Sequence, residues 1–287
     1  MFTSLSAAFA YLQDDFKVSQ RLTVNLGLRY EFATPQYDRD NHMSNYDPAT
    51  NSLVLAGNGS IADRALVNPQ AHNFGPRLGL AYSLNPKTVI RSGYGISYVL
   101  FERQGSDSYL AYNGPFVVNA QITQAPSQGL CPAGSQSLTC FRPTEMGYPD
   151  GLTSQANLNT VNTKTVYIPT NIRMPYVQNW HFTLQRELAK SLILDVGYAG
   201  NHSTGLWILT DLNQAAFNLP GQNLSVQARR PDQQFGFIDA NYSPGFSTYK
   251  ALQAKIEKRY ASGLYLLNSF TPPVRWRPAT ATATPWT

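Results

Sequence analysis

Residues Leu22–Glu31 read LTVNLGLRYE. Leu22, Val24, Leu26, Leu28 and Tyr30 alternate with Thr23, Asn25, Gly27, Arg29 and Glu31. Successive side chains of an extended strand point to opposite faces, so this segment carries one apolar face and one polar face. A helix, turning every 3.6 residues or about 100° per residue, would mix the two sets. The pattern returns in Arg77–Leu84 (RLGLAYSL), where Leu78, Leu80, Tyr82 and Leu84 oppose Arg77, Gly79, Ala81 and Ser83.

Further strands follow the same rule. Thr88–Leu100 places Ile90, Tyr94, Ile96, Tyr98 and Leu100 on one side, and Tyr176–Leu188 sets Trp180, Phe182 and Leu184 against Asn179, His181, Thr183 and Gln185. Leu192–Gly200 and Tyr249–Arg259 repeat it, with weaker alternation in Ala8–Phe16 and Leu264–Phe270. The reading is an all-β chain of eight strands arranged as four hairpins. Their turns are tight, near Lys17–Arg21, Asn85–Lys87, Glu187–Ser191 and Ala261–Gly263, whereas segments 32–73, 102–175 and 201–248 separate one hairpin from the next. Connections in compact domains have a median of about 4–6 residues, so three long segments alternating with tight turns require a cause. A transmembrane barrel supplies one, with short turns on one side and long loops outside. Strands of about 9–11 residues suffice for a tilted crossing.

Alternation alone leaves the solvent open. A barrel with a wet lumen turns its apolar face to lipid, while a soluble sandwich buries it. Tyr30, Tyr82, Tyr98, Trp180 and Tyr198 lie toward strand ends, as an interfacial girdle would, although strands favour aromatics in general. Charged residues are only 14% of the 287, against about 25% in soluble domains. The net charge of +5 is scattered, with no basic run longer than Arg229-Arg230, so no nucleic-acid partner is expected. Met1–Phe9 lacks the positive start and apolar core of a signal peptide, and is read as internal to a longer protein. Cys131 and Cys140, alone in a Gly-, Pro- and Ser-rich stretch, suggest a loop-closing disulfide; two neighbouring free thiols are the alternative.

No residue set points to a reaction, metal or cofactor. His42, His72, His181 and His202 are dispersed, and His181 reads as a polar lining residue. Asp14 and Asp15 are adjacent and so face opposite ways, poor geometry for shared acid–base work. Gly93-Tyr94-Gly95 lies inside a strand, without the helix that phosphate binding needs. Tyr109, Tyr112, Phe116, Tyr148 and Tyr167 in the second long segment could stack on sugars or flat ligands, or simply pack together. A secreted glycan-binding sandwich or adhesin is the rival reading. A secreted β-fold hydrolase, using Asp195 and Glu257, is a third.

Several blocks together resemble the barrel part of TonB-dependent receptors, in the group with a carboxypeptidase-regulatory-like domain before the plug. They are YLQDDFK (Tyr11–Lys17), RLTVNLGLRYE (Arg21–Glu31), NFGPRLGLAY (Asn73–Tyr82), KTVIRSGYGISY (Lys87–Tyr98), QNWHFTLQREL (Gln178–Leu188), LDVGYAGN (Leu194–Asn201) and YKALQAKIEKRYASGL (Tyr249–Leu264). The resemblance implies a barrel of about 22 strands, closed by a separate plug and importing a scarce solute with energy from the TonB system. It implies outer-membrane lipid, the plug and the remaining strands as partners, with TonB reached only through an N-terminal part not in this sequence. No plug or TonB-box stretch is recognisable, so residues 1–271 are expected to be a partial barrel without catalytic function. After Ser269-Phe270-Thr271 the pattern breaks into Pro272-Pro273, and residues 272–287 are expected to be a disordered or frame-shifted tail; Trp286 is penultimate, with no strand expected before it.

Overall fold

The computed structural model describes residues 3–100, 110–118, 124–137, 139–152, 154–261 and 263–272. Eight long strands make one antiparallel sheet: β1 (Ala7–Lys17), β2 (Leu22–Ala33), β3 (Phe74–Asn85), β4 (Thr88–Tyr98), β5 (Tyr176–Ala189), β6 (Leu192–Asp211), β7 (Ile238–Ala261) and β8 (Leu264–Phe270). Each pairs with its sequence neighbours, giving an up-and-down order from β1 to β8 that does not close. Such a meander needs no crossovers, which fits hairpin turns as short as Pro86-Lys87 and Lys190-Ser191. Among the described residues no second long sheet lies across it, and Leu12, Leu28, Leu78, Phe182 and Leu252 stand exposed on its apolar side. That arrangement is a partial barrel rather than the rival sandwich.

The register fixes the tilt of the strands. One continuous rung runs through Lys17, Thr23, Ala81, Arg91, Thr183, Gly197 and Gln253. The first hairpin ends on this rung, at Lys17↔Thr23. The next three end progressively beyond it, at Asn85, Ala189 and Ala261, which lie four, six and eight residues past Ala81, Thr183 and Gln253. The short turns therefore step by about 1.3 residues per strand, and with a rise of about 3.3 Å and a strand spacing of about 4.8 Å this is a tilt of about 42°, within the range of closed barrels.

The third long connection is shorter than the sequence suggests. It spans 212–237 instead of 201–248, because β6 and β7 continue past the alternating segments. Beyond Gly200 both faces of this hairpin lie outside the apolar belt, so no period-two signal marks it, yet its backbone ladder continues to Asp211↔Asp239. Register shifts near Leu206 interrupt the ladder, with Gly205 at φ 73° taking the left-handed conformation a bulge requires.

The long connections fold on one another at the end of the sheet opposite the short turns. Ala33, Met43, Val67, Leu100, Leu110, Val166, Ile168, Ile172 and Met174 form a buried cluster drawn from the end of β2 and the two long connections that follow β2 and β4. Tyr46, Phe235 and Ile238 form a second, with Tyr46 edge-on to Phe235 at 5.0 Å and to Tyr167 at 6.2 Å. A short strand, Thr165–Tyr167, pairs in parallel with Ile238–Ala240 of β7. Its other edge is closed by side chains. Asn113 donates to the carbonyls of Ser44 and Val166 (both 2.8 Å) and accepts from the Val166 N–H (2.7 Å). Asn45 exchanges the same pair of bonds with Ile168 (2.7 and 3.1 Å). Buried backbone groups need partners, and an amide offers a donor and an acceptor spaced like a strand's own.

Candidate functional site

The polar face of the sheet is the surface on which function can be built. Along one rung Gly27, Arg77, Gly95 and Asn179 are neighbours, and along the next, Asn25, Gly79, Gly93 and His181. Together with Gln13 and Arg91 they line an open trough of about 710 Å³. Large side chains sit beside glycines here for a steric reason. The His181 ring lies where a Gly93 Cβ would be, 2.4 Å from its Cε1, and Asn25 covers Gly79 at 3.0 Å. Gly93-Tyr94-Gly95 therefore makes room for neighbouring side chains, with Tyr94 on the other face donating to Gln178 Oε1 at 2.9 Å. Arg91 donates to Gln185 Oε1 at 2.8 Å, and Asn25 donates to Asp15.

Toward the short turns the lining becomes an ion cluster. Lys255 lies 3.4 Å from Asp195 and 3.1 Å from Glu257, and Arg259 3.6 Å from the same Glu257. The two carboxylates considered for hydrolysis thus share an ammonium between them. Nearer the loops, Arg29 and the buried Glu31 pair at 2.6 Å.

On the apolar face, distance from the short-turn end follows from register and tilt. Tyr82 lies three residues from the turn end of its strand, about 7 Å, whereas Tyr198, Tyr30, Trp180 and Tyr98 lie six, eight, nine and ten residues from theirs, about 15–25 Å. Tyr198 lies mid-strand rather than near an end, since β6 runs on into the outer hairpin. Trp180 lies over Gly200, Tyr30 packs on Phe74 at 5.0 Å and Tyr98 on Tyr176 at 5.9 Å.

The loop residues separate. Tyr167 joins the second buried cluster, Phe116 stacks on His42 at 4.8 Å, and Tyr112 and Tyr148 are exposed. Tyr109, like Trp286 and most of the 272–287 tail, lies outside the described residues. Cys131 and Cys140 are bonded to each other, with Cα atoms 5.0 Å apart. One grouping escaped the sequence reading: Asp38, Asp40 and His42 bring ligand-type atoms within 4.8 Å of one another, a spacing visible in DRDNH. Asp38 Oδ2 already accepts the N–H groups of Asp40 (3.1 Å) and His42 (3.0 Å), so the cluster is first a hydrogen-bonded turn.

Comparison with known proteins bears on the whole chain. Among solved structures it is similar to the siderophore receptor PirA from Acinetobacter baumannii (12% identity, TM-score 0.48, covering 92% of this chain and 27% of that one). It is also similar to PirA from Pseudomonas aeruginosa (10%, 0.46, 93% and 34%) and to the P. aeruginosa outer-membrane ferripyoverdine receptor (10%, 0.43, 94% and 22%). The chain thus spans between 22% and 34% of the length of these receptors. The search of curated proteins found no match. The sheet, its stagger and its outward apolar side agree with the remaining comparison: residues 3–271 match the family described as outer membrane beta barrel domain, and the chain belongs to that family.

Proposed function

We propose that the chain is one part of a TonB-dependent receptor barrel, which takes up a small solute through the outer membrane and carries out no catalysis. The observation that carries this reading is the open sheet, whose turns step at barrel tilt while its apolar side faces outward. Among the described residues, two edges, β1 and β8, are left without a neighbour along the sheet. An exposed edge invites pairing, and here the natural partners are further strands of the same barrel. The resemblance supplies their number, about 22 in all, and a plug to fill the lumen. Tyr82 on the short-turn side and Tyr30, Tyr98, Trp180 and Tyr198 toward the loops serve as the two interfacial girdles. Short turns then lie in the periplasm and the loops outside.

Sequencing the region on both sides of the reading frame tests this. A plug-coding segment upstream and a barrel continuing in another frame after Thr271 are expected. Flanks without either would overturn the receptor-part reading. This chain expressed alone in a receptor-null strain is expected to leave solute uptake at background; restored uptake would show that eight strands suffice.

A further inference from the structure

The disulfide lies in a module, within residues 124–152, that the loop cores do not explain. It contributes no residue to either buried cluster. It is nevertheless heavily braced. Besides Cys131–Cys140, Gln124 exchanges two hydrogen bonds with the Arg142 backbone (2.7 and 2.9 Å), and Gln136 two with Asp150 (3.2 and 2.7 Å). The braces frame a cavity of about 310 Å³, near the lower end for small-molecule sites. Pro143, Pro149 and Tyr148 supply apolar walls, and Ser137 and Thr144 supply hydroxyls. Tyr148 is 86% exposed although its neighbours are tied down. A large aromatic face held open on a rigid rim is costly to leave wet and ready to stack.

The electrostatics narrow the ligand. Arg142, which also lines the cavity, spends its guanidinium on the carbonyls of Gly147 (2.6 Å), Met146 (3.3 Å) and Ser135. It therefore braces the floor instead of offering a fork to an anion. The exposed carboxylates on the same stretch, Glu145 and Asp150, repel anions further. We infer that this cavity binds a neutral saccharide of one or two rings, whose apolar face stacks on Tyr148 while its hydroxyls meet Ser137 and Thr144. This site is independent of how the barrel is completed.

The test is saturation-transfer NMR on the full chain in detergent micelles. The probes are glucose, galactose, mannose, N-acetylglucosamine and their disaccharides, with a sialylated trisaccharide and a proline-rich peptide alongside. At least one neutral sugar is expected to bind, with Tyr148→Ala weakening it about tenfold or more and Tyr148→Phe leaving it nearly unchanged, since stacking needs the ring and not the hydroxyl. Thiol reduction is expected to weaken the same sugar while the loop cores stay protected from protease. Absence of neutral-sugar binding, binding indifferent to Tyr148→Ala, or preference for the sialylated glycan or the peptide would overturn the assignment.

Discussion

The sheet and the loop cap of this chain solve opposite problems with the same side chains. In the sheet, leucines and aromatics point away from the protein: Leu78 is 51% exposed although it sits in the middle of a strand. In the cap, Val166 and Ile238 are buried and Asn113 is sealed in at 0% exposure. A barrel wall uses lipid as its apolar phase and needs no protein core. Loops that meet water must build a core of their own, and buried amides must then close the backbone. Hydrophobicity thus has a different meaning on the two sides of one boundary.

The largest effect is expected where that boundary is crossed. Leu78→Arg would place a charge about 17 Å above the short-turn end, near the middle of the apolar band, at a cost of about 2–4 kcal/mol. Membrane assembly should fail, read as loss of heat-modifiable migration on gels, whereas Gln13→Arg on the lumen face should assemble. Equal tolerance of both would erase the distinction between faces. Asn113→Ala should act on the cap alone. It strands the Val166 N–H and two carbonyls, at a cost of about 2 kcal/mol. Faster proteolysis of the loops with unchanged sheet assembly is the expected result; loss of both would mean that cap and sheet fold as one unit.

A smaller and more graded effect belongs to pH. Burial, reinforced by the charges of Asp232 and Asp47, pushes Tyr46 up from 10.0 to about 12, and burial raises Tyr167 in the same direction. In the unfolded chain these phenols ionise near 10, so between about pH 10 and 12 unfolding releases protons. The Tyr46 contribution is fully present below pH 10 and lost as pH rises through 12. Loop protection against protease should decline over that window, and Tyr46→Phe should flatten the decline. An unchanged profile in that variant would remove Tyr46 from the cap's alkaline response.

Part of this was legible from the chain. Leu22, Val24, Leu26 and Leu28 alternate because lipid on one side and a wet lumen on the other impose a period of two, and that constraint is local. The tight turns are local as well, so the four hairpins and their faces follow from the residues alone. The outer halves of β6 and β7 were not legible, because water on both faces removes the periodicity while backbone pairing persists. The pairing of Asn113 with Val166, the trough that unites Arg77 with His181, and the cavity under Tyr148 join residues far apart in the chain. Sequence determined which residues form strands and which of their faces is apolar, since each strand senses its own surroundings. Only the tertiary structure decided which loops share a core and which polar groups converge, because those depend on register and tilt accumulated across the sheet.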